Sequence, residues 1–286
     1  MSIVERALER LRTDSTGSRS RRVFGKVVES AAPLTPSGRV ISIDQDALRA
    51  AGLLAPKHQE REIATQYRQI KRPLLGAAMG RGQEPVPGGR IIMIASALAG
   101  EGKTFTAINL AFSMAMEKDL HVVLVDGDVA KPQISRMFGV GVEPGLLDAV
   151  IDPNVEFERL ILPTDVANLF LLPAGTRSDR ATELLASERM VEAVNSLLQR
   201  DERRVFVFDS SPLLLSTEAR ALAEIAGQIV VVVRAEYTEY HVLMDAVHRL
   251  PEGCSPSLVL NQSTQKNAGY YYYGYGTAAG GTAEGG

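Results

Sequence analysis

Six short apolar segments, separated by stretches with helical periodicity, constrain the fold of this chain more than any other feature. The segments are RIIMIAS, HVVLVD, NLFLLP, RVFVFD, QIVVVV and SLVL, starting at residues 90, 121, 168, 204, 228 and 257. Strands that are apolar on both faces are typical of a parallel sheet covered by helices on two sides. The sequence therefore predicts a three-layer α/β fold with a mostly parallel central sheet, and helices at about 103–117, 188–200, 217–225 and 238–249.

A glycine-rich stretch, ALAGEGKT at residues 97–104, follows the first apolar segment and precedes a helical pattern. Such a strand-to-helix turn surrounds a triphosphate with backbone N–H groups, and the helix dipole adds positive potential. In such loops the lysine neutralises charge between the β and γ phosphates, and the next hydroxyl is a ligand of Mg²⁺. We therefore predict an ATP- and Mg²⁺-binding loop formed by Gly100, Glu101, Gly102, Lys103, Thr104 and Phe105. The alternative is a turn that merely links a strand to a helix.

Acidic residues follow two of the predicted strands. Asp126 and Asp128 come at the end of HVVLVD, and Asp209 ends RVFVFD. Ligands of open α/β sheets bind at the carboxyl ends of the strands, where carboxylates hold a metal ion or accept a proton. A single aspartate at a strand end is more often a cap or turn former. Beside a phosphate loop, we expect all three to be functional.

The ends of the chain differ in composition from the middle. Residues 1–90 carry 16 Lys and Arg against 9 Asp and Glu, whereas residues 262–286 are mostly Gly, Tyr, Ala and Thr. This predicts a basic arm and linker with a short amphipathic helix at 1–58, a phosphate-loop domain at 59–261, and a disordered tail at 262–286. A helix is also predicted from about residue 59 to 70, ending before Pro73.

Several protein classes are excluded by what the sequence lacks. No apolar run of about 18 residues is present, and the N-terminus is too charged for a signal peptide, so we expect a cytoplasmic protein. Cys254 is the only cysteine, which excludes an internal disulfide, and the four histidines show no metal-ligand spacing.

Five of the eight tyrosines lie in the last 17 residues, at positions 270–273 and 275. The surrounding Gly, Thr and Ala offer no core against which these rings could pack. We expect Tyr270, Tyr271, Tyr272, Tyr273 and Tyr275 to be phosphate acceptors, each gaining about 1.5 to 2 negative charges at pH 7 when modified. The alternative is a tail of aromatic residues that supports weak association.

The order AGEGKT, VDGDVAKP, FDSSP and a C-terminal tyrosine string resembles the bacterial tyrosine kinases of exopolysaccharide systems, especially the exosortase-linked autokinases. That family is a branch of the phosphate-loop ATPases related to MinD and ParA. The resemblance implies that Lys103 binds phosphate, that Thr104, Asp126 and Asp209 serve the metal, and that Asp126 and Asp128 act in catalysis. It also implies contacts to the nucleotide base from Asn261 and Arg234.

The chain departs from this family at several positions. Ala130 stands where an arginine is usual, Ser211 replaces a proline, and Glu218 replaces an aspartate. The family's oligomerising Glu-x-x-Arg-x-x-Arg pattern aligns with Thr65, Arg68 and Lys71. Position 98 holds leucine, where MinD-type ATPases place an additional lysine.

We therefore predict an ATP-dependent protein-tyrosine autokinase that phosphorylates its own C-terminal cluster and regulates exopolysaccharide synthesis or export. The resemblance implies that a membrane-bound co-polymerase protein activates it, placing it peripherally at the inner face of the cell membrane. Self-association is expected and nucleic acid is not. One alternative is a ParA- or MinD-like positioning ATPase without kinase activity, and another is a nucleotide-binding scaffold that has lost catalysis.

Overall fold

A seven-stranded sheet forms the centre of the molecule. The computed structural model of the protein describes residues 39–82 and 84–264. The strands lie side by side in the order β3-β4-β2-β5-β1-β6-β7, and all neighbours are parallel except the β3–β4 pair. Their bounds are β1 Ile91–Ser96, β2 His121–Asp126, β3 Leu162–Pro163, β4 Leu169–Leu172, β5 Arg204–Asp209, β6 Gln228–Arg234 and β7 Ser257–Asn261.

Helices connect these strands and cover both faces of the sheet. In chain order they are α1 Gln45–Ala50, α2 Glu60–Met79, α3 Lys103–Ala115, α4 Gln133–Met137, α5 Leu146–Ile151, α6 Phe157–Leu160, α7 Ala181–Leu185, α8 Glu188–Arg200, α9 Thr217–Ile225 and α10 Tyr240–Val247. Among the described residues, no helix is long and apolar enough to cross a membrane.

Alternate residues of each central strand enter two separate hydrophobic cores. In β1, Met93 and Ala95 pack with α5 to α10, whereas Ile92 and Ile94 pack with α1 to α4. Side chains of a strand point alternately to opposite faces, so two apolar cores require strands that are apolar at every position. This is the pattern visible in the sequence, and the predicted three-layer α/β fold is confirmed.

The predicted strands and the four helices predicted after residue 100 agree closely with the structure. Helices α8 and α9 have the predicted bounds, and α3 and α10 are two to four residues shorter than predicted. The antiparallel strand β3 was not predicted, because two residues are too few to show a periodicity. The same reason applies to the helices of four to six residues.

Helix α2 is longer than the sequence predicts, because Pro73 lies inside it rather than beyond its end. A proline removes one helical hydrogen bond, which normally favours termination. Here the residues after Pro73 include the buried Leu74 and Leu75, so continued burial outweighs that cost. Lys71 adds a polar contact, since its buried ammonium donates to the carbonyl of Ser113 at 2.6 Å and pairs with Glu117 at 2.7 Å.

The folded unit begins well before residue 59, which corrects the extent of the predicted N-terminal arm. Ile41, Leu48 and Leu53 are buried in the same core as α2 and α3. The Ile41 N–H donates to the carbonyl of Pro163 at 2.8 Å, which joins this segment to β3. The misplacement arose because the apolar residues at 41–54 are few and lie among polar ones. The predicted amphipathic helix and basic linker at 1–38 lie outside the described residues.

If the segment at 41–54 is part of the core, Leu48→Ala will destabilise the protein by about 2 to 5 kcal/mol. Leu48 is 1% exposed, so its truncation removes buried apolar surface and leaves a cavity. Urea unfolding followed by circular dichroism measures the change. Leu215→Ala is the matched control, because Leu215 is 67% exposed and should change stability by less than about 0.5 kcal/mol. Equal stabilities for the two variants would contradict the placement of residues 41–54.

Candidate functional site

The carboxyl ends of three adjacent strands bring the predicted polar residues together. Strand β5 lies between β1 and β2, so the glycine-rich loop after β1 and the aspartates after β2 lie on either side of Asp209. Asp126 and Asp209 are direct partners in the β2–β5 register. The sequence prediction that these residues meet at one edge therefore holds for the strand ends.

The glycine-rich loop depends on two glycines in the left-handed region. Gly100 has φ +82° and Gly102 has φ +94°, values that other residues rarely adopt. A Cβ atom on Gly102 would also lie 2.0 Å from the side-chain nitrogen of Asn261. Helix α3 begins immediately afterwards at Lys103, so the free N–H groups of its first turn face the loop. This arrangement suits an anion such as phosphate.

Asp209 ends β5 at the centre of the site. It is fully buried, and within the described part of the chain neither of its carboxylate oxygens has a hydrogen-bond partner. Burial raises the pKa of Asp209 to about 7. The nearby Lys103 ammonium opposes this rise, and the negative charge of Asp126 adds to it. The Thr104 hydroxyl lies close by without completing a hydrogen bond. Asp209 therefore has two oxygens free for a cation.

Asp126 is buried but half satisfied. Its Oδ2 accepts hydrogen bonds from the N–H and the hydroxyl of Ser135, both at 2.7 Å, while Oδ1 has no partner among the described residues. Burial raises the pKa of Asp126 to about 6, and the Ser135 hydrogen bonds oppose that rise. A carboxylate fixed through one oxygen and free at the other is suited to accept a proton.

Asp128 lies two residues further along and is partly exposed. Its Oδ1 accepts from the hydroxyl of Ser211 at 2.8 Å and from the N–H of Lys131 at 3.1 Å. Between the two aspartates, the N–H of Gly127 donates to the carbonyl of Asp209 at 2.8 Å. A Cβ on Gly127 would lie 2.6 Å from that same oxygen, so this close approach of β2 to β5 requires glycine.

The two residues expected to contact the nucleotide base lie side by side on β6 and β7. Arg234 and Asn261 are register partners, and the Arg234 guanidinium lies 4.5 Å from the ring centroid of Tyr237. The Asn261 side-chain nitrogen donates to the carbonyl of Glu101 at 2.9 Å. One donor of Asn261 is therefore used to hold the loop itself.

Other predicted site residues lie further from this cluster or outside the described chain. The Phe105 ring packs towards Tyr67 of α2, with ring centroids 6.4 Å apart. The tyrosines at 270–273 and 275 lie beyond residue 264, outside the described residues.

The free oxygens suit a hard divalent cation that is shared with a phosphate group. Within residues 39–82 and 84–264, no group of three or more His, Cys, Asp or Glu side chains is arranged to hold a metal by itself. A magnesium-type site needs only one or two protein carboxylates, because phosphate oxygens and water supply the remaining ligands. Asp209 and the Thr104 hydroxyl meet that requirement.

Ser135 was missed by sequence reasoning, although it contacts Asp126 directly. Its hydroxyl also accepts from the N–H of Ala174 at 3.0 Å, which ties the loop after β4 to the site. No motif marks this residue, and it lies nine positions after its partner. Only the short helix α4, which was not predicted, brings it back to the strand end.

Comparisons with known proteins agree on the type of domain. The family AAA_31, described as an AAA domain, matches residues 89–253, more than half of the chain. CapB of Staphylococcus aureus, assigned as a tyrosine-protein kinase, is 30% identical over 64% of this chain and 79% of its own length. The crystal structure of the VpsO kinase domain has a TM-score of 0.58 and 26% identity, covering 72% of this chain and 98% of that domain.

A longer relative contains the same region as a small part. The succinoglycan biosynthesis transport protein ExoP of Rhizobium meliloti is 30% identical over 64% of this chain, which corresponds to 23% of ExoP.

The burial of Asp209 predicts a specific pH dependence of stability. Its native pKa of about 7 lies above the ordinary value of 3.8, so the folded state binds the proton more tightly and stability falls as pH rises from about 4 to 7. Asp209→Asn removes this loss. Without divalent cations we expect the variant to be more stable than wild type at pH 8, by about 2 to 4 kcal/mol, with a smaller gain at pH 5.

Urea unfolding in EDTA at both pH values measures this difference. Asp119→Asn is the control, because Asp119 is exposed and its substitution should change stability equally at pH 5 and pH 8. If Asp209→Asn were instead less stable than wild type at pH 8, burial of the ionised carboxylate would not be destabilising.

Proposed function

The chain belongs to the bacterial tyrosine-protein kinases, and we propose that it transfers the γ-phosphate of ATP to tyrosines of its own C-terminal cluster. The observation that carries this proposal is the meeting of Asp126 and Asp209, with free buried oxygens, beside Lys103 and the loop at the start of α3. Within the family, we infer that it resembles the exosortase-linked autokinases, on the tyrosine string that follows residue 269.

Binding of ATP uses the loop and the first turn of α3. The N–H groups of residues 100–105 surround the phosphates, and the Lys103 ammonium offsets charge that develops on the γ-phosphate. Thr104 and Asp209 would hold Mg²⁺, which supplies neutralisation of the phosphate oxygens when it is bound. Asn261 and Arg234 lie at the same edge of the sheet and contact the base.

Transfer requires a tyrosine oxygen to reach the γ-phosphorus opposite the leaving ADP oxygen. The new bond joins the tyrosine oxygen to phosphorus, the bond from phosphorus to the ADP oxygen breaks, and the phenolic proton passes to Asp126 Oδ1. Ser135 keeps the Asp126 carboxylate in place through the other oxygen, and burial holds its pKa at about 6, close to the working pH. Asp128 is fixed by the Ser211 hydroxyl and is partly exposed two residues beyond Asp126.

The alternative of a MinD-like positioning ATPase has less support. MinD-type enzymes place a lysine at the position of Leu98, and this chain has no cation there. The N–H of Leu98 is bound to the Glu101 carboxylate of the same loop at 2.7 Å. A lysine that reaches a partner's nucleotide is therefore not supplied from this position.

We also propose that the chain works with a membrane protein that takes part in polysaccharide export. ExoP contains the matched region within a much longer chain that is named as a transport protein. The name of ExoP supports a link between this kinase domain and polysaccharide transport. The basic residues among positions 1–38 would add attraction to the anionic inner face of the membrane.

Incubation of the purified protein with Mg²⁺ and ATP labelled on the γ-phosphate tests the kinase proposal. We expect phosphate on Tyr270–Tyr273 and Tyr275 by mass spectrometry, and loss of labelling by at least about 100-fold in Asp209→Asn, because one metal ligand is removed. Replacement of all five tyrosines by Phe should abolish labelling and keep ATP binding. Release of inorganic phosphate without labelled tyrosine would instead favour the positioning ATPase.

Removal of residues 1–38 tests the contribution of the basic arm. We expect the truncated protein to bind vesicles containing phosphatidylglycerol at least about tenfold more weakly at low salt, since each basic residue near such a surface contributes about 1 kcal/mol. Co-sedimentation with vesicles measures binding, and neutral phosphatidylcholine vesicles are the control. Unchanged binding after truncation would show that the arm does not serve this purpose.

A further inference from the structure

The Glu101 side chain is placed unusually for a loop that binds anions. Its carboxylate is fully buried within the phosphate loop, where a negative charge opposes the binding of a triphosphate. Burial of a carboxylate is tolerated when hydrogen bonds to it compensate for lost hydration. The identity of those donors therefore indicates what the residue does.

Each oxygen of Glu101 accepts one hydrogen bond from a different part of the chain. Oε2 accepts from the N–H of Leu98 at 2.7 Å, which closes the loop on itself. Oε1 accepts from the hydroxyl of Thr238, which lies in the turn between β6 and α10. The Leu98 carbonyl is in turn held by the Ser96 hydroxyl at 2.7 Å, so Leu98 is fixed through both its N–H and its carbonyl.

Thr238 is itself rigidly held. It is 4% exposed, its hydroxyl accepts from the N–H of Arg234 at 3.2 Å, and its own N–H donates to the Arg234 carbonyl at 3.1 Å. The Asn261 side chain donates to the carbonyl of Glu101, and it fills the space where a Cβ on Gly102 would lie. The phosphate loop is thus tied through one residue to the ends of both β6 and β7.

We propose that Glu101 and Thr238 are positioning residues, which hold the phosphate loop in the shape that receives ATP before the nucleotide arrives. Preformed N–H groups bind phosphate without paying for loop ordering during binding. The charge of Glu101 disfavours phosphate, but its hydrogen bonds order the peptides that bind it. The inference rests on the proposed nucleotide binding and not on the transfer of phosphate to tyrosine.

Substitutions at Thr238 test this proposal without altering the charge of the loop. Thr238→Val keeps the shape of the side chain and removes the hydroxyl, which leaves Glu101 Oε1 without its donor. We expect the Kd for a fluorescent ADP analogue and the KM for ATP to rise about tenfold, with kcat within threefold of wild type. Thr238→Ser, which keeps the hydroxyl, should restore both values to within about twofold of wild type.

Thr164→Val is the matched control. Like that of Thr238, the Thr164 hydroxyl donates a hydrogen bond, to the Leu169 carbonyl at 2.7 Å, and accepts one from a backbone N–H, that of Val166 at 3.2 Å. Thr164 lies beside β3 at the far edge of the sheet. Thr164→Val should lower the melting temperature without a change in Kd. Wild-type affinity in Thr238→Val, or affinity losses that follow melting temperature equally in both valine variants, would overturn the proposal. Equilibrium binding of ADP keeps this result separate from any failure of tyrosine labelling.

Discussion

The parallel pairing of β2 with β5, and of β5 with β1, is the constraint on which the site depends. The pairing sets Asp126 opposite Asp209 and places the glycine-rich loop on the other side of Asp209. Both carboxylates are buried because the strands that carry them are covered on both faces by the two cores. The packing of the sheet therefore also sets the pKa values of the acids at its edge. The raised pKa values of both acids are the cost of this placement, and the cost falls when a cation binds.

Much of this arrangement could be predicted from the sequence, since it depends on local patterns. Continuous apolar strands predict parallel pairing, and Gly-Lys-Thr after a strand predicts the loop at Lys103. The meeting of the strand-end aspartates could also be predicted, because the carboxyl ends of parallel strands lie at one edge of the sheet. In contrast, the contacts that fix these groups join residues far apart in the chain. Thr238 reaches Glu101 across 137 positions, and no local pattern predicts such a pair.

The N-terminal boundary and α2 show a second limit of sequence reasoning. Pro73 and the sparse apolar residues at 41–54 were assigned by local rules, and in both places burial against the sheet outweighed those rules. Lys71 illustrates the same effect. The family resemblance implies that this position belongs to an oligomerising pattern, yet Lys71 is buried within this molecule. Its partners are Ser113 and Glu117, so the exposed face of α2 keeps Arg68, which is hydrogen-bonded to Thr65, but not Lys71.

The balance of charges at the carboxyl edge of the sheet affects how the phosphate loop binds a nucleotide. Glu101, Asp126 and Asp209 bring three buried acids to one place, whereas the loop itself contributes the single cation Lys103. A triphosphate adds further negative charge, and one ammonium cannot offset that sum in a region with little water. Under the proposed function, binding of nucleotide and of a divalent cation would therefore be strongly coupled, each raising the affinity for the other.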